Sequence, residues 1–238
     1  MDCAQNSQLE SLSKLTGELA HEIKNPLSTL KINVHLVQEQ LQKNTSDPNI
    51  QRALRKLDII QKEANRLQNI LDAFLQYIGK PELQLGYTDL NEVLSDLIDF
   101  YSPQAQIHGI TLRFTLYGQP LTVQADADKV KQVLLNMFIN AQQAMPDGGD
   151  LMVQTDKVSG CARIRISDTG LGIAPDKQSR IFEPTFSTRS HGSGLGLATA
   201  RKIIESHNGT VSVESEPGKG TAFTISLPLR ADTQESSH

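Results

Sequence analysis

The chain has 238 residues, with 27 Asp and Glu against 23 Lys and Arg. That length holds one large or two small domains, and the slightly acidic balance gives no electrostatic case for nucleic acid or an anionic membrane as partner. Two cysteines, Cys3 and Cys161, form no metal or redox spacing and suit a reducing compartment. No apolar run approaches the roughly 20 residues that cross a bilayer, and there is no signal-peptide core. The expectation is a soluble, cytoplasmic protein with no membrane segment.

Ser7 to about Lys43 is predicted as the first helix. Placed at about 100° per residue, Leu12, Leu15, Leu19, Ile23, Leu27, Leu30, Val34, Val37 and Leu41 fall within an arc of roughly 120°. His21 lies about 175° from the centre of that arc, with Glu22 beside it and Asn25 one turn on. Pro26 cannot donate to the Glu22 carbonyl, so a kink is expected there. Turn formers from Asn44 to Asn49 end this helix, and a second runs from about Ile50 to Ile78. Its stripe is Leu54, Leu57, Ala64, Leu67, Leu71, Phe74 and Ile78. One hairpin buries two such stripes poorly. A four-helix bundle made by two chains is the natural remedy, so a homodimer is predicted, with a long intramolecular coiled-coil hairpin as the alternative.

Gly79-Lys80-Pro81 ends the second helix, and from about Leu85 the pattern turns to mixed α and β. Asp89 caps a helix to about Gln106, and Ile110–Tyr117 and Leu121–Val123 read as strands. A helix from Asp126 or Asp128 to Met145 precedes strands at about Asp150–Lys157 and Ala162–Asp168. A glycine- and proline-rich region covers Thr169–Gly194. Leu195–Asn208 is then a helix closed by Gly209, and Thr210–Glu214 with Thr221–Leu227 form a hairpin. Several helices with mostly consecutive strands predict a two-layer α/β sandwich behind the helical hairpin. The resulting division is 1–80 for the hairpin, 81–86 for a linker, 87–230 for the sandwich and 231–238 for a polar tail.

Chemistry-bearing residues fall at five places. His21 faces solvent beside an acid. Asn136 and Asn140 share one face of a helix at i,i+4, and amide oxygens are hard neutral ligands suited to a Mg²⁺ shared with phosphates. Asp168-Thr169-Gly170-Leu171-Gly172 leaves a strand as an acid followed by glycines, where a ligand can approach backbone closely. Phe182 and Phe186 flank Glu183-Pro184-Thr185, with Arg189 close behind. Gly192-Ser193-Gly194-Leu195-Gly196 opens a helix, whose free N–H groups favour phosphate. It is neither a Rossmann fingerprint, since no strand immediately precedes it, nor a P-loop, since no GK[ST] follows. Each piece alone fits an ordinary role: a solvated His, surface amides, a tight turn, a buried Phe pair, a helix start.

Their order is specific. It resembles the histidine kinases of two-component signalling over almost the whole chain. His21-Glu22-Ile23-Lys24-Asn25-Pro26 is similar to the family's H box, Asn136–Asn140 to the N box and Asp168–Gly172 to the G1 box. Phe182–Phe186 is similar to the F box and Gly192–Gly196 to the G2 box. The resemblance implies a dimerisation and phosphotransfer hairpin, followed by an ATP-binding domain of the GHKL type shared in outline with Hsp90, MutL and DNA gyrase. It implies His21 as phosphoacceptor, Glu22 as its base or orienter, and Asn25 as the residue that positions water to dephosphorylate the partner. Asn140 with Asn136 would hold Mg²⁺, and Asp168 would bind the adenine amino group. Gly170, Gly172, Phe182, Phe186, Arg189, Gly192, Gly194, Leu195 and Gly196 would complete the ATP site. The ATP-binding domain would swing on the Gly79–Leu85 linker to present the γ-phosphate to His21, and the implied partner that then takes the phosphoryl group is a response regulator receiver domain. One position departs from the pattern: Gln143 stands where many members carry Lys or Arg, and Arg189 would be the substitute charge. A different GHKL ATPase is disfavoured by the His-bearing hairpin. A non-catalytic scaffold would reveal itself by failing to bind nucleotide. The expectation is either an excised catalytic core or a chain whose signal arrives through a partner protein.

Overall fold

The computed structural model describes residues 23–42, 47–79, 82–186 and 194–230. His21, Glu22, Arg189, Gly192 and the 231–238 tail lie outside the described residues, as does the Glu22 carbonyl on which the expected kink at Pro26 depends. The chain divides into two compact units between residues 80 and 81.

In the first unit, residues 23–42 form helix α1 and Pro48–Ile78 form α2. Helix α2 starts two residues before the expected Ile50. Asp47 accepts the Asn49 N–H at 2.8 Å, and Pro48 occupies the first helical position, where its missing N–H costs nothing. Lys24 pairs with Asp72, tying the start of α1 to the far end of α2, so the two run antiparallel. The Lys24 ammonium, outweighing partial burial, holds the Asp72 carboxyl below the ordinary carboxylate value, with help from Gln68. The described hairpin buries Val34 and Ala64, while Ile23, Leu30, Val37, Leu67 and Phe74 of the predicted stripes stay exposed. Ile32, Leu36, Ile59 and Ile60, outside those stripes, are exposed as well. Among the described residues no helix is long and apolar enough to cross a membrane.

The second unit orders as β1 (Gly86–Asp89), α3 (Leu90–Ile107), β2 (Ile110–Thr115), β3 (Thr122–Ala125), α4 (Ala127–Ala144), β4 (Gly149–Val158) and β5 (Cys161–Asp168). It continues with α5 (Pro175–Gln178), α6 (Gly196–Ser206), β6 (Thr210–Glu216) and β7 (Gly220–Pro228). Strand β1 and helix α5 are short and carry no periodicity, and neither is expected from the sequence. The main sheet runs β2-β4-β5-β7-β6, with β2 parallel to β4 and every other pair antiparallel. Its alternation is regular. Leu151, Val153 and Thr155 of β4, Ala162, Ile164, Ile166 and Asp168 of β5, and Thr221, Phe223, Ile225 and Leu227 of β7 are all buried. Helices α3, α4 and α6 supply the facing layer, through Leu94, Leu97, Val133, Leu134, Met137, Phe138, Ile203 and Ile204. The other face carries ion pairs: Arg113–Asp150, Arg163–Asp156 and Arg165–Glu214. The result is the two-layer α/β sandwich.

Two polar knots lock the frame. Asn91 donates to the Tyr117 and Gln119 carbonyls at 2.9 and 3.0 Å, and accepts from the buried Thr155 hydroxyl at 2.8 Å. Asn91→Ala strands that hydroxyl and two carbonyls, so the urea unfolding midpoint should fall with unchanged slope, by about 2 kcal/mol of stability. Asp126 caps α4 through the Lys129 N–H at 3.0 Å and accepts the Gln84 N–H at 2.9 Å. Burial by itself would raise the Asp126 carboxyl, but these N–H donors win and hold it below the ordinary carboxylate value. Its own N–H donates to Nε2 of buried His207, whose Nδ1 faces the Ile203 carbonyl at 2.8 Å. That pattern requires a neutral imidazole with its proton on Nδ1.

Candidate functional site

A cleft of about 450 Å³ opens between α4, the loop after β5, and the start of α6. Helix α4 has two working faces. Val130, Val133, Leu134, Met137, Phe138 and Ala141 are buried in the core. Asn136, Ile139, Asn140 and Gln143 follow i, i+3, i+4, i+7 and line the cleft. Ile139 is 38% exposed and sits between the two amides on the cleft face.

Asp168 ends β5 in the inward register, 6% exposed. Its Oδ1 accepts the Gly170 N–H at 2.9 Å and the Thr221 N–H at 3.2 Å, so two backbone donors aim the carboxylate. The loop beyond it is pinned at both sides. The Leu171 N–H donates to the Ala144 carbonyl at 3.0 Å, and the Gly218 N–H donates to the Leu171 carbonyl at 2.9 Å. Gly172 has φ +68°, and a Cβ there would come within 2.2 Å of the Glu216 carbonyl oxygen, so only glycine passes under the β6–β7 turn.

At the opposite side Gly196 begins α6. A Cβ on Gly196 would lie 2.8 Å from both amide atoms of Asn136. The glycine therefore lets the start of α6 rest against a cleft amide of α4. Phe186 lines the cleft with the Arg180 guanidinium 4.5 Å from its ring centroid, and Arg180 in turn pairs with Glu183 at 3.2 Å. Phe182 instead packs edge-on against Phe223, and Leu195 is buried.

The structure thus brings Asn136, Asn140, Asp168, Gly172, Phe186, Gly194 and Gly196 to one cleft. Gly170 shapes its floor from beneath, through contact with α4. Phe182 and Leu195 support it from the core. Asn25 is exposed on α1 in the other unit. Thr221, Phe223, Ile173 and Ile181 also line the cleft and were missed in the sequence. Thr221 could have been found only through strand register, since it pairs directly with Asp168 across β5 and β7. Hard neutral amide oxygens on one wall fit a Mg²⁺ that keeps several waters and is shared with phosphates, rather than an all-protein cage.

Comparison with known proteins bears on both units. Residues 11–78 match the His Kinase A (phospho-acceptor) domain, and residues 125–231 match the histidine kinase-, DNA gyrase B-, and HSP90-like ATPase family. The chain is 36% identical over 225 residues to the sensor histidine kinase ZraS of Escherichia coli (strain K12), covering 94% of this chain and 47% of that kinase. It spans about half the length of such curated relatives. Full-length ShkA, solved in complex with AMPPNP, is similar at TM-score 0.73 and 25% identity, over 91% of this chain and 46% of that one. The histidine kinase ThkA, solved in complex with the response regulator protein TrrA, is similar at TM-score 0.67 and 27% identity, over 94% and 64%. With a phospho-acceptor hairpin ahead of a GHKL-type ATPase sandwich, in the order read from the sequence, the chain belongs to the two-component histidine kinases and comprises their catalytic core.

Proposed function

We propose that this chain is an ATP-dependent histidine autokinase that phosphorylates His21 and passes the phosphoryl group to an aspartate of a response regulator receiver domain. The observation that carries this reading is the convergence of Asp168, Asn136, Asn140 and the Gly194–Gly196 backbone on one cleft. The same chain carries His21-Glu22-Ile23-Lys24-Asn25-Pro26 on its helical hairpin. The AMPPNP bound by ShkA and the response regulator bound by ThkA support the nucleotide and the partner.

Each residue then has a task. Asp168, an acceptor aimed by two backbone N–H groups, takes the adenine amino group. Asn140, with Asn136, holds the metal that accompanies the triphosphate. When bound, Mg²⁺ neutralises phosphate charge. The N–H groups at the start of α6 face the phosphates, and Gly172, Gly194 and Gly196 keep backbone close to the nucleotide. Phe186, steadied by Arg180, covers the cleft, and Arg189 and Gly192 belong to the same segment. A neutral His21 ring nitrogen attacks the γ-phosphorus. The P–N bond forms as the bond to the β–γ bridging oxygen breaks, ADP leaves, and Glu22 takes the ring proton. Asn25, exposed on α1, orients water when the partner is dephosphorylated.

The hairpin acts as a homodimer, because Ile23, Leu30, Val37, Leu67 and Phe74 need apolar cover that one hairpin does not give them. The functional division is 1–80 for dimerisation and phosphotransfer, 81–86 for the linker and 87–230 for ATP binding, in a cytoplasmic setting. Incubating the chain with γ-labelled ATP and Mg²⁺ tests the proposal. The expected label is acid-labile and base-stable, as a P–N bond requires. Acid-stable label, or none with ATP still bound, overturns it.

A further inference from the structure

The cleft wall that carries Asp168 also carries a hydroxyl network that the roles above leave unused. Ser215 of β6 sits at its centre. Its Oγ meets the Ile173 N–H at 2.8 Å, the Gly220 carbonyl at 2.8 Å and the Thr221 Oγ1 at 3.0 Å. Gln178 braces both backbones, donating from Nε2 to the Ile173 and Ser215 carbonyls at 2.9 and 2.8 Å.

Counting protons orders this network. A serine hydroxyl has one proton and two acceptor positions. The Gly220 carbonyl can only accept, so the Ser215 proton goes there. The Ile173 N–H fills one acceptor position. The other is filled when the Thr221 hydroxyl donates, and all three bonds are then made. Reversing the Ser215–Thr221 bond would set two acceptor oxygens 2.8 Å apart with no proton between them.

The consequence lies in the cleft. Thr221 is 6% exposed, lines the cleft, and donates its N–H to the same Asp168 oxygen that Gly170 holds. With its proton committed to Ser215, its hydroxyl offers only lone pairs to a ligand. The Asp168 carboxylate is likewise acceptor-only. A wall of acceptors suits the exocyclic amine of adenine and repels the carbonyl that replaces it in hypoxanthine. We propose that Ser215 is a positioning residue for base recognition: by fixing the direction of the Thr221 hydroxyl it sets the cleft's preference for amino- over oxo-purine nucleotides. This rests on the reading of the cleft as an ATP site.

The test is the ratio of ATP to ITP affinity, measured by calorimetric titration of the full chain. Ser215→Ala frees the Thr221 proton to meet a carbonyl, so the preference for ATP should fall about tenfold, chiefly through tighter ITP binding. Ser215→Thr, which keeps the hydroxyl, should retain the preference. In a Thr221→Val background, Ser215→Ala should leave the ratio unmoved, because there is no proton left to redirect. A merely structural serine would weaken both nucleotides alike; that result, or an unchanged ratio with ATP still bound, overturns the proposal. If Ser215→Ala does not fold, Ser215→Cys, close in size but a weak donor and acceptor, is read in the same way. Failure of the native chain to bind ATP at all overturns the ATP-site reading and this inference with it, and is distinct from an unchanged ratio.

Discussion

Replacing His21 with glutamine should drop acid-labile labelling from γ-labelled ATP by at least a hundredfold, while ATP affinity stays within about twofold. Glutamine keeps a polar side chain of similar reach but has no nucleophilic ring nitrogen, so the phosphoryl group has nothing to attack it. The helical spacing of the sequence predicts His21 on the polar side, opposite the apolar stripe of Ile23, Leu27, Leu30 and Val34. The loss should therefore be chemical rather than structural. The stripe is untouched, and far-ultraviolet circular dichroism should superpose on that of the native protein. Unaffected ATP binding follows from the division of the chain, since the cleft is built wholly from residues beyond 81. Label that persists in the variant would mean that a different side chain is the acceptor.

Asp168→Asn should weaken ATP binding about a hundredfold, with a smaller loss of thermal stability. The native carboxylate has Oδ1 occupied by the Gly170 and Thr221 N–H groups. An asparagine can keep its amide oxygen on those two donors. Its NH₂ then replaces an acceptor on the other side, and meets the adenine amine donor to donor. Losing one charge-assisted hydrogen bond and leaving a buried donor unmatched costs about 3 kcal/mol, which is roughly a hundredfold in affinity. Competition against a fluorescent nucleotide gives the affinity, and a melting curve separates it from unfolding. If the variant binds ATP as the native chain does, Asp168 is structural and the base lies elsewhere. Stability should decline less, because both backbone donors retain an acceptor, although a neutral one.

The elements that were readable beforehand are those whose signal is local. Helix α4 was legible because its apolar residues recur at helical spacing and Asp126 stands ready to cap it. The β6–β7 hairpin was legible from alternation around Pro217-Gly218-Lys219-Gly220. Strand β1, four residues pairing with β3, has too few positions to show a period; it exists because Thr88 and its neighbours find Val123 and Gln124 across the chain. Helix α2 begins ahead of the expected Ile50 because Pro48, behind the Asp47 cap, is a first-turn residue.

The candidate site divides along the same line. Asp168, the paired asparagines and the glycine runs are chemically unusual for their settings, so their order in the chain was enough to single them out. The two-part plan, the amphipathic hairpin and the residue types that carry the chemistry were all readable along the chain, because periodicity and backbone permissiveness are properties of neighbouring residues. Tertiary structure alone decided which of those residues share a cleft, that Phe182 and Leu195 back it from the core, and that Ile139 faces it. It also decided that Thr221 and Ser215 join Asp168, through β5–β7 register and a turn that returns β6 beside it. Pairing across 53 residues is set by the burial of alternate side chains over the whole sheet, and no local stretch of sequence carries that information.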